Sequence, residues 1–383
     1  MLTPEYLLTI DDGITTIASQ MERYVISEIV KRLMARASRG EDLQFTAYDK
    51  WQMQVMEEAG VLYKDVVKVI SKYTGYGQTE IKRALLNAGI TSIQADTEAL
   101  YNAGKGIDAL FPVFVTKDAA TLQKASELLM KRSPYCIRAM ERAYNATNGD
   151  WLNFTQSQAY TATNRFIEAC DRAYIKTTSG AVSYTQAIKE EVEQLAKNGT
   201  TIVVNPATGH KDHVDVAAAR CVRTGVSQMT AEITTARMDE LDVDLVLVSA
   251  HLGARPDHEK WQGKVYSRKG KTEKYEDFVN ATGYGTGEGL CGWNCRHSFS
   301  PFLEGMHNPY EDNPIDTEEN NKRYKAEQEQ RRLEREIRKQ KRIVTAYEAQ
   351  YKNATGTEQR DYKQQYEYES HLLKRKQKVT QNQ

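Results

Sequence analysis

The side chains best equipped for chemistry lie in two short segments, HLGARPDHEKWQGKVYS at residues 251–267 and ATGYGTGEGLCGWNCRHSFSPF at residues 281–302. The first carries His251 and His258, the second Cys291, Cys295 and His297. Thiolate sulfur and imidazole nitrogen are zinc ligands, and two separated pairs can converge on one tetrahedral ion. The preferred quartet is His251, His258, Cys291 and Cys295, with His297 as a substitute. The spacing is looser than paired CxxC motifs, so the same residues also fit a loop core without metal. There Trp261 and Trp293 bury apolar area while His and Arg groups satisfy backbone carbonyls. Arg255, Gln262, Gly263 and Arg296 belong to this loop centre in either case.

Two other chemistries carry less weight. Cys295 beside Arg296 and His297 would have its thiolate favoured by positive charge, with Asp257 or His258 orienting a proton-transfer group. Neighbours in the chain do not by themselves assemble a triad, and we expect no catalytic residue. GYGTGEG invites comparison with a phosphate loop, but no GK followed by Ser or Thr completes it and no strand-loop-helix frames it. Gly283, Gly285, Gly287, Gly289 and Gly292 instead permit tight turns and close backbone approach.

The elements that must position these segments predict an α+β fold in three consecutive regions. Residues 1–198 read as a predominantly helical body. Ile14, Ala18, Met21, Val25, Ile29 and Leu33 recur at helical spacing, and a polar stretch from Ser38 to Asp42 follows. Separate helices are expected around Trp51 and Val55 and around Leu62 to Ile70, with a junction at Gly75 and Gly77. After the FPVF at 111–114, one helix starts near Asp118 and another follows Trp151.

Residues 199–310 read as a compact mixed α/β domain with Gly-rich loops. Thr200 to Val204 is a short strand, NPATG a turn, Asp212 to about Asp239 a helix, and DLVLVSA at 244–250 a strand. Residues 311–383 form a charged extension. A long basic C-terminal helix starts near Glu318 and ends before Gly356, with a narrow seam of Leu333, Ile337 and Val344 and a poorly ordered end.

Charge follows the same division. The 383 residues carry 52 basic and 52 acidic side chains, yet residues 322–378 hold 17 basic against 9 acidic, so the remainder is acidic to the same degree. A basic arm on an acidic body points to an anionic contact for the arm alone. Arg331, Arg332, Arg335, Arg338, Lys339 and Arg342 are its candidate contacts to DNA or a partner. At 40% hydrophobic residues the chain can bury a core, which excludes a wholly disordered protein. No membrane span or secretion signal is expected, and five cysteines, with Cys136, Cys170 and Cys221 scattered and Cys291 and Cys295 close together, are an odd, sparse set that makes a poor disulfide framework.

Taken together, Ala254, Arg255, Pro256, His258, Trp261, Gln262 and Gly263, then Gly285, Gly287, Cys291, Gly292, Trp293, Asn294, Cys295, Arg296 and His297, resemble the signature segments of the phage minor capsid protein 2 family, within the wider phage head morphogenesis proteins. The resemblance implies a low-copy virion protein made in an infected bacterial cytoplasm and placed near the portal or inside the head. Its implied partners are the portal and other head proteins, a scaffold, and packaged DNA. A DNA-associated ejection or genome-retention protein is the alternative, and a hydrolase or toxin a more distant one.

Overall fold

The computed structural model describes residues 1–39, 48–102, 119–205 and 207–381. The FPVF segment, Gly40 to Asp42 of the polar stretch and Pro206 of the NPATG turn lie outside the described residues. The fold is α+β and dominated by helices. In chain order, α1 (Pro4–Thr9), α2 (Asp12–Arg39), α3 (Tyr48–Asn102), α4 (Ala119–Arg132), α5 (Pro134–Thr178) and α6 (Tyr184–Asn198) precede a hairpin of β1 (Thr201–Asn205) and β2 (His210–His213). Then come α7 (Val214–Glu240), β3 (Leu245–Val248), α8 (Pro256–Glu259), β4 (Val265–Ser267), β5 (Glu276–Asp277), α9 (Phe278–Thr282) and β6 (Phe299–Pro301). Helices α10 (Pro309–Asp312), α11 (Thr317–Asn353) and α12 (Gly356–Gln381) complete the chain.

These elements group into two compact units, each drawn from three stretches. Unit 1 is Met1–Ile14, Gln78–Trp151 and Ala218–Glu327; unit 2 is Thr15–Gly77, Leu152–Ala217 and Gln328–Gln383. Helices α2, α3, α5, α7 and α11 contribute residues to both.

The stripe read on α2 holds throughout: Ile14, Ala18, Met21, Val25, Ile29 and Leu33 are all fully buried. The expected breaks further on are absent. Helix α3 runs unbroken through Gly60, Gly75 and Gly77, and α5 through Trp151. A helical glycine costs only about 1 kcal/mol relative to alanine. The buried positions Trp51, Val55, Leu62, Val66 and Ile70 are followed by Ile81, Leu85 and Ala88 at matching spacing, so continuous burial outweighs that cost.

In unit 1, a four-stranded sheet of order β5-β4-β3-β6 carries the centre of the core. Strand β3 pairs antiparallel with both β4 and β6, aligning Val246 with Tyr266 and Leu247 with Ser300. Strands β4 and β5 run parallel. An apolar strand flanked on both edges is what LVLV encodes, and Val246, Val248, Tyr266, Phe278, Leu290 and Phe299 form one cluster with Met238 of α7. The β2 strand was not anticipated: HKDH is polar, and its pairing with β1 places Thr201 opposite His213.

Unit 2 is organised by buried charge. Arg36 of α2 donates to the Tyr184 hydroxyl at 3.1 Å, lies 5.5 Å from the Trp51 ring, and pairs with Glu58 at 3.1 Å. Glu22, also buried, accepts from the Thr200 backbone at 3.2 Å, sits 3.0 Å from His213 Nδ1, and faces Arg342 Nη1 at 3.7 Å. Gly199 has a positive φ of 63°, and a Cβ there would stand 2.6 Å from Glu22 and 2.7 Å from Arg342. Only glycine fits that approach.

The C-terminal end differs from expectation. Residues 356–381 form a helix, and α12 bonds to α11: Gln340 donates to the Glu369 carbonyl at 3.2 Å, Lys376 donates to Gln340 at 3.1 Å, and Tyr351 stacks on Tyr366. Leu333, Ile337 and Val344 are half-buried, while Gln340, Arg342, Ala346, Ala349 and Gln350 are buried. The seam is therefore made of small and polar side chains, which hydrophobic periodicity does not register.

Arg342→Ala removes the guanidinium facing buried Glu22, leaving it the Thr200 N–H and His213. Urea unfolding should show a loss of about 3–5 kcal/mol, whereas Arg335→Ala, at an exposed position of the same helix, should stay within about 0.5 kcal/mol.

Candidate functional site

The loops after β3 and after α9 meet in unit 1. Ser249 N–H donates to the Ser298 carbonyl at 2.9 Å and Ser298 N–H to Ser249 Oγ at 2.9 Å, which ties the exit of β3 to the entry of β6. Pro256 opens α8, where its missing N–H costs nothing, and the turn places His258 inward. Trp261 and Gln262 then close the turn by donating to the His258 carbonyl.

The second loop is compressed by its glycines. A Cβ on Gly289 would stand 2.0 Å from the Gly283 oxygen, so the two strands of the loop can touch only through bare backbone. Cys291 and Asn294 both adopt positive φ, 59° and 53°, a tight path that returns the chain inward at Cys295.

The result is a buried His/Cys cluster. His258, Cys295 and His297 are at most 2% exposed, and their potential ligand atoms lie within 4.8 Å of one another. Cys295 Sγ stands 3.8 Å from His258 Nδ1 and 3.7 Å from His297 Nδ1. The far side of each ring meets a carbonyl oxygen: His258 Nε2 faces Glu288 O at 2.9 Å, and His297 Nε2 faces Gln262 Oε1 at 3.0 Å. The His251 N–H donates to the same Gln262 oxygen at 3.0 Å, which fixes the orientation of that amide. Trp261 packs against both rings, at 4.6 Å from His258 and 4.7 Å from His297.

The remaining members of the proposed quartet stand to one side. His251 is turned by a hydrogen bond between Nδ1 and the Leu252 carbonyl, 2.9 Å, with its ring 4.4 Å from that of His297. Cys291 is buried with its sulfur 3.7 Å from the His297 carbonyl. His297, the substitute, thus takes a place beside Cys295 that the spacing gave to His251 or Cys291.

Burial governs the electrostatics. It lowers His297 well below the ordinary histidine range and lowers His251 and His258 as well, so the imidazoles are neutral near neutral pH. It raises the Cys291 and Cys295 thiols. A nucleophilic thiolate needs the opposite shift; Arg255 and Arg296 pull Cys295 that way, but burial outweighs them, and the Arg296 guanidinium is itself committed to Glu327 at 2.6 Å and the Gly253 carbonyl at 3.3 Å.

Other loop-centre residues have distinct places. Arg255 donates to the Glu288 carbonyl at 3.3 Å, and Gly263, at φ +71°, accepts from Asn308 at 3.0 Å. Trp293 departs from the expected packing: it lies over Gly287 but is 59% exposed, because the turn through Cys291 and Asn294 directs it outward.

Sequence reasoning missed two anchors from the start of α11. Asn320, fully buried, accepts from the backbone N–H of Gly253 at 2.8 Å and Ala254 at 3.0 Å and donates to the Ala254 carbonyl at 3.2 Å. Glu327 holds Arg296. A short polar side chain within a run of strong helix formers was the available signal for Asn320.

The six basic candidates of α11 divide sharply. Arg342 is buried, Arg338 pairs with buried Asp215 at 3.3 Å, and Arg332 pairs with Glu329 at 2.7 Å. Arg331, Arg332 and Arg335 are exposed, and Lys339 is half-buried.

Two comparisons with known proteins bear on this architecture. A family model described as phage minor capsid protein 2 matches residues 2–372. A protein named "Structural protein" from Lactococcus phage LL-H is 20% identical over 336 residues, covering 86% of this chain and 85% of its own. No solved structure matches. Among the described residues, no helix is long and apolar enough to cross a membrane.

Asn320→Ala leaves two buried N–H groups without an acceptor. At about 1–3 kcal/mol for each unsatisfied group, the loss on denaturation should reach about 2–6 kcal/mol, and amides of 250–263 should exchange faster than in the parent.

Proposed function

The chain belongs to the phage minor capsid protein 2 family, and from that premise we propose that it is a structural docking component of a tailed-phage head, seated near the portal or on the inner head surface. The match from residue 2 to 372 carries this reading, since it spans both loop segments and most of the C-terminal helices. The protein acts by binding, with no chemical step of its own. The closed state of its His/Cys centre supports that role: a reactive site needs substrate access, and these side chains have almost none. Its partners are the portal and neighbouring head proteins, encountered in the bacterial cytoplasm during assembly and kept in the virion.

The surface offers two kinds of contact. Trp293, held over Gly287 on a rigid loop, presents a large aromatic face of the type that anchors protein interfaces. The exposed bases of α11, Arg331, Arg332 and Arg335, offer a screened attraction to acidic protein or to packaged DNA.

Crosslinking and mass spectrometry of purified particles should recover this chain joined to portal or head proteins. Its exclusive presence outside particles would overturn the proposal. Trp293→Ala should leave stability within about 0.5 kcal/mol while lowering incorporation. Neutralising Arg331, Arg332 and Arg335 distinguishes the partners of α11: weakened, less salt-dependent DNA binding marks a phosphate contact, and lost incorporation with unchanged DNA binding marks a protein contact.

A further inference from the structure

We propose that His258, Cys295 and His297 bind one zinc ion, through His258 Nδ1, Cys295 Sγ and His297 Nδ1, and that the ion joins the two loops of unit 1. The inference is independent of the docking role and rests on the geometry of the cluster.

The first argument is the size of the cluster. Zinc binds thiolate at about 2.3 Å and imidazole at about 2.0–2.1 Å, so neighbouring sulfur and nitrogen corners of its tetrahedron lie about 3.5 Å apart. The two observed sulfur–nitrogen separations, 3.8 and 3.7 Å, need only a few tenths of contraction to reach that value.

The second argument is tautomeric. Gln262 Oε1 accepts from the His251 backbone, so its oxygen must face His297, and His297 Nε2 must carry the hydrogen. Glu288 O imposes the same form on His258. Both rings therefore turn an Nδ1 lone pair toward the same sulfur. A carbonyl holding the outer nitrogen while the inner one is left bare is the usual support for a metal-bound histidine. One contact opposes it: Arg255 Nη2 lies 2.5 Å from His258 Nε2 and can only donate. The two contacts demand opposite tautomers. We assign the hydrogen to Nε2, because the Glu288 carbonyl is fixed backbone and the Arg255 side chain is 38% exposed and able to swing.

The third argument is chemical. One thiol cannot donate to two nitrogens at once, so without metal one Nδ1 lone pair has no hydrogen-bond donor in Cys295. Coordination resolves this: Cys295 releases its proton to solvent, the thiolate and both lone pairs bind Zn²⁺, and the net charge of the site becomes +1. Three ligands leave a fourth tetrahedral position. His251 is a further imidazole beside the cluster, its Nδ1 bonded to Leu252 O and its ring 4.4 Å from that of His297, but it lies outside the group of ligand atoms within 4.8 Å of one another and must move to fill that position.

The test uses the full chain purified without affinity tags. After washing with a mild chelator, elemental analysis should find about one zinc ion per chain. Exchange with Co²⁺ should give the visible absorption of a tetrahedral ion together with a near-ultraviolet thiolate band. Cys295→Ser should lose that band and the bound metal. Because loss of a buried thiol can by itself unfold a chain, the decisive arm uses the parent protein. A strong chelator should lower its melting temperature by several degrees, and added Zn²⁺ should restore it. Folded protein that contains no zinc after reconstitution, and whose melting temperature responds to neither chelator nor Zn²⁺, overturns the proposal. A cobalt spectrum without the thiolate band would overturn the ligand assignment. His251→Ala decides the fourth position: retained stoichiometry with weaker affinity places His251 on the ion, and unchanged affinity removes it.

Discussion

Unit 1 depends on a constraint that few loops face: a set of imidazoles, a thiol and backbone amides has been withdrawn from water and must find every partner inside the protein. An unsatisfied buried polar group costs about 1–3 kcal/mol, and His258, Cys295, His297, Gln262 and Asn320 are all nearly inaccessible. The surrounding structure meets most of that demand, although the Gln262 Nε2 has no hydrogen-bond partner among the described residues. Glycines let the second loop touch itself, Pro256 sets the turn that brings His258 inward, and the first turns of α11 supply Asn320 and Glu327 to the loop that neither sheet nor core reaches. Removing a partner therefore acts on several segments together.

Unit 2 solves a related problem with charge. Glu22, Arg36, Asp215 and Arg342 lie in its interior, and each meets groups contributed by distant parts of the chain. Such pairs add little net stability over apolar packing, but breaking one leaves an uncompensated charge, so they specify which helices may adjoin. The basic extension is consequently not a free arm. Part of its charge is internal to unit 2, while other bases on α11 and on α12, Lys363, Lys374, Arg375 and Lys378 among them, face solvent.

Much of this was legible in the sequence where the signal is local. The α2 stripe and the β3 run are periodicity and composition, and both loop segments announced themselves by residue types that chains seldom crowd together. What could not be read was long-range. Gly75 and Gly77 mark a break only if burial does not continue across them, and Trp51 to Ala88 shows that it does. Arg342 looks like any surface arginine until Glu22, 320 positions earlier in the chain, is placed beside it. The choice of His297 over His251 or Cys291 beside Cys295 turns on backbone φ at Cys291 and Asn294, which spacing does not encode.

For a virion component, a centre of this kind supplies rigidity. On the proposed docking role, the exposed face of Trp293 must hold its shape through assembly, and a loop knotted from within provides that without a large sheet or long β-strands. The central physical claim, that the two loops and the start of α11 form one closed, cooperative joint rather than an open site, is tested most directly by native-state hydrogen exchange on the intact chain. The amides of Gly253, Ala254, Gln262, Leu290, Cys295 and Ser298 should exchange slowly and lose protection together as denaturant rises. Fast exchange across 281–298 while 250–263 stays protected would show two independent loops and contradict it.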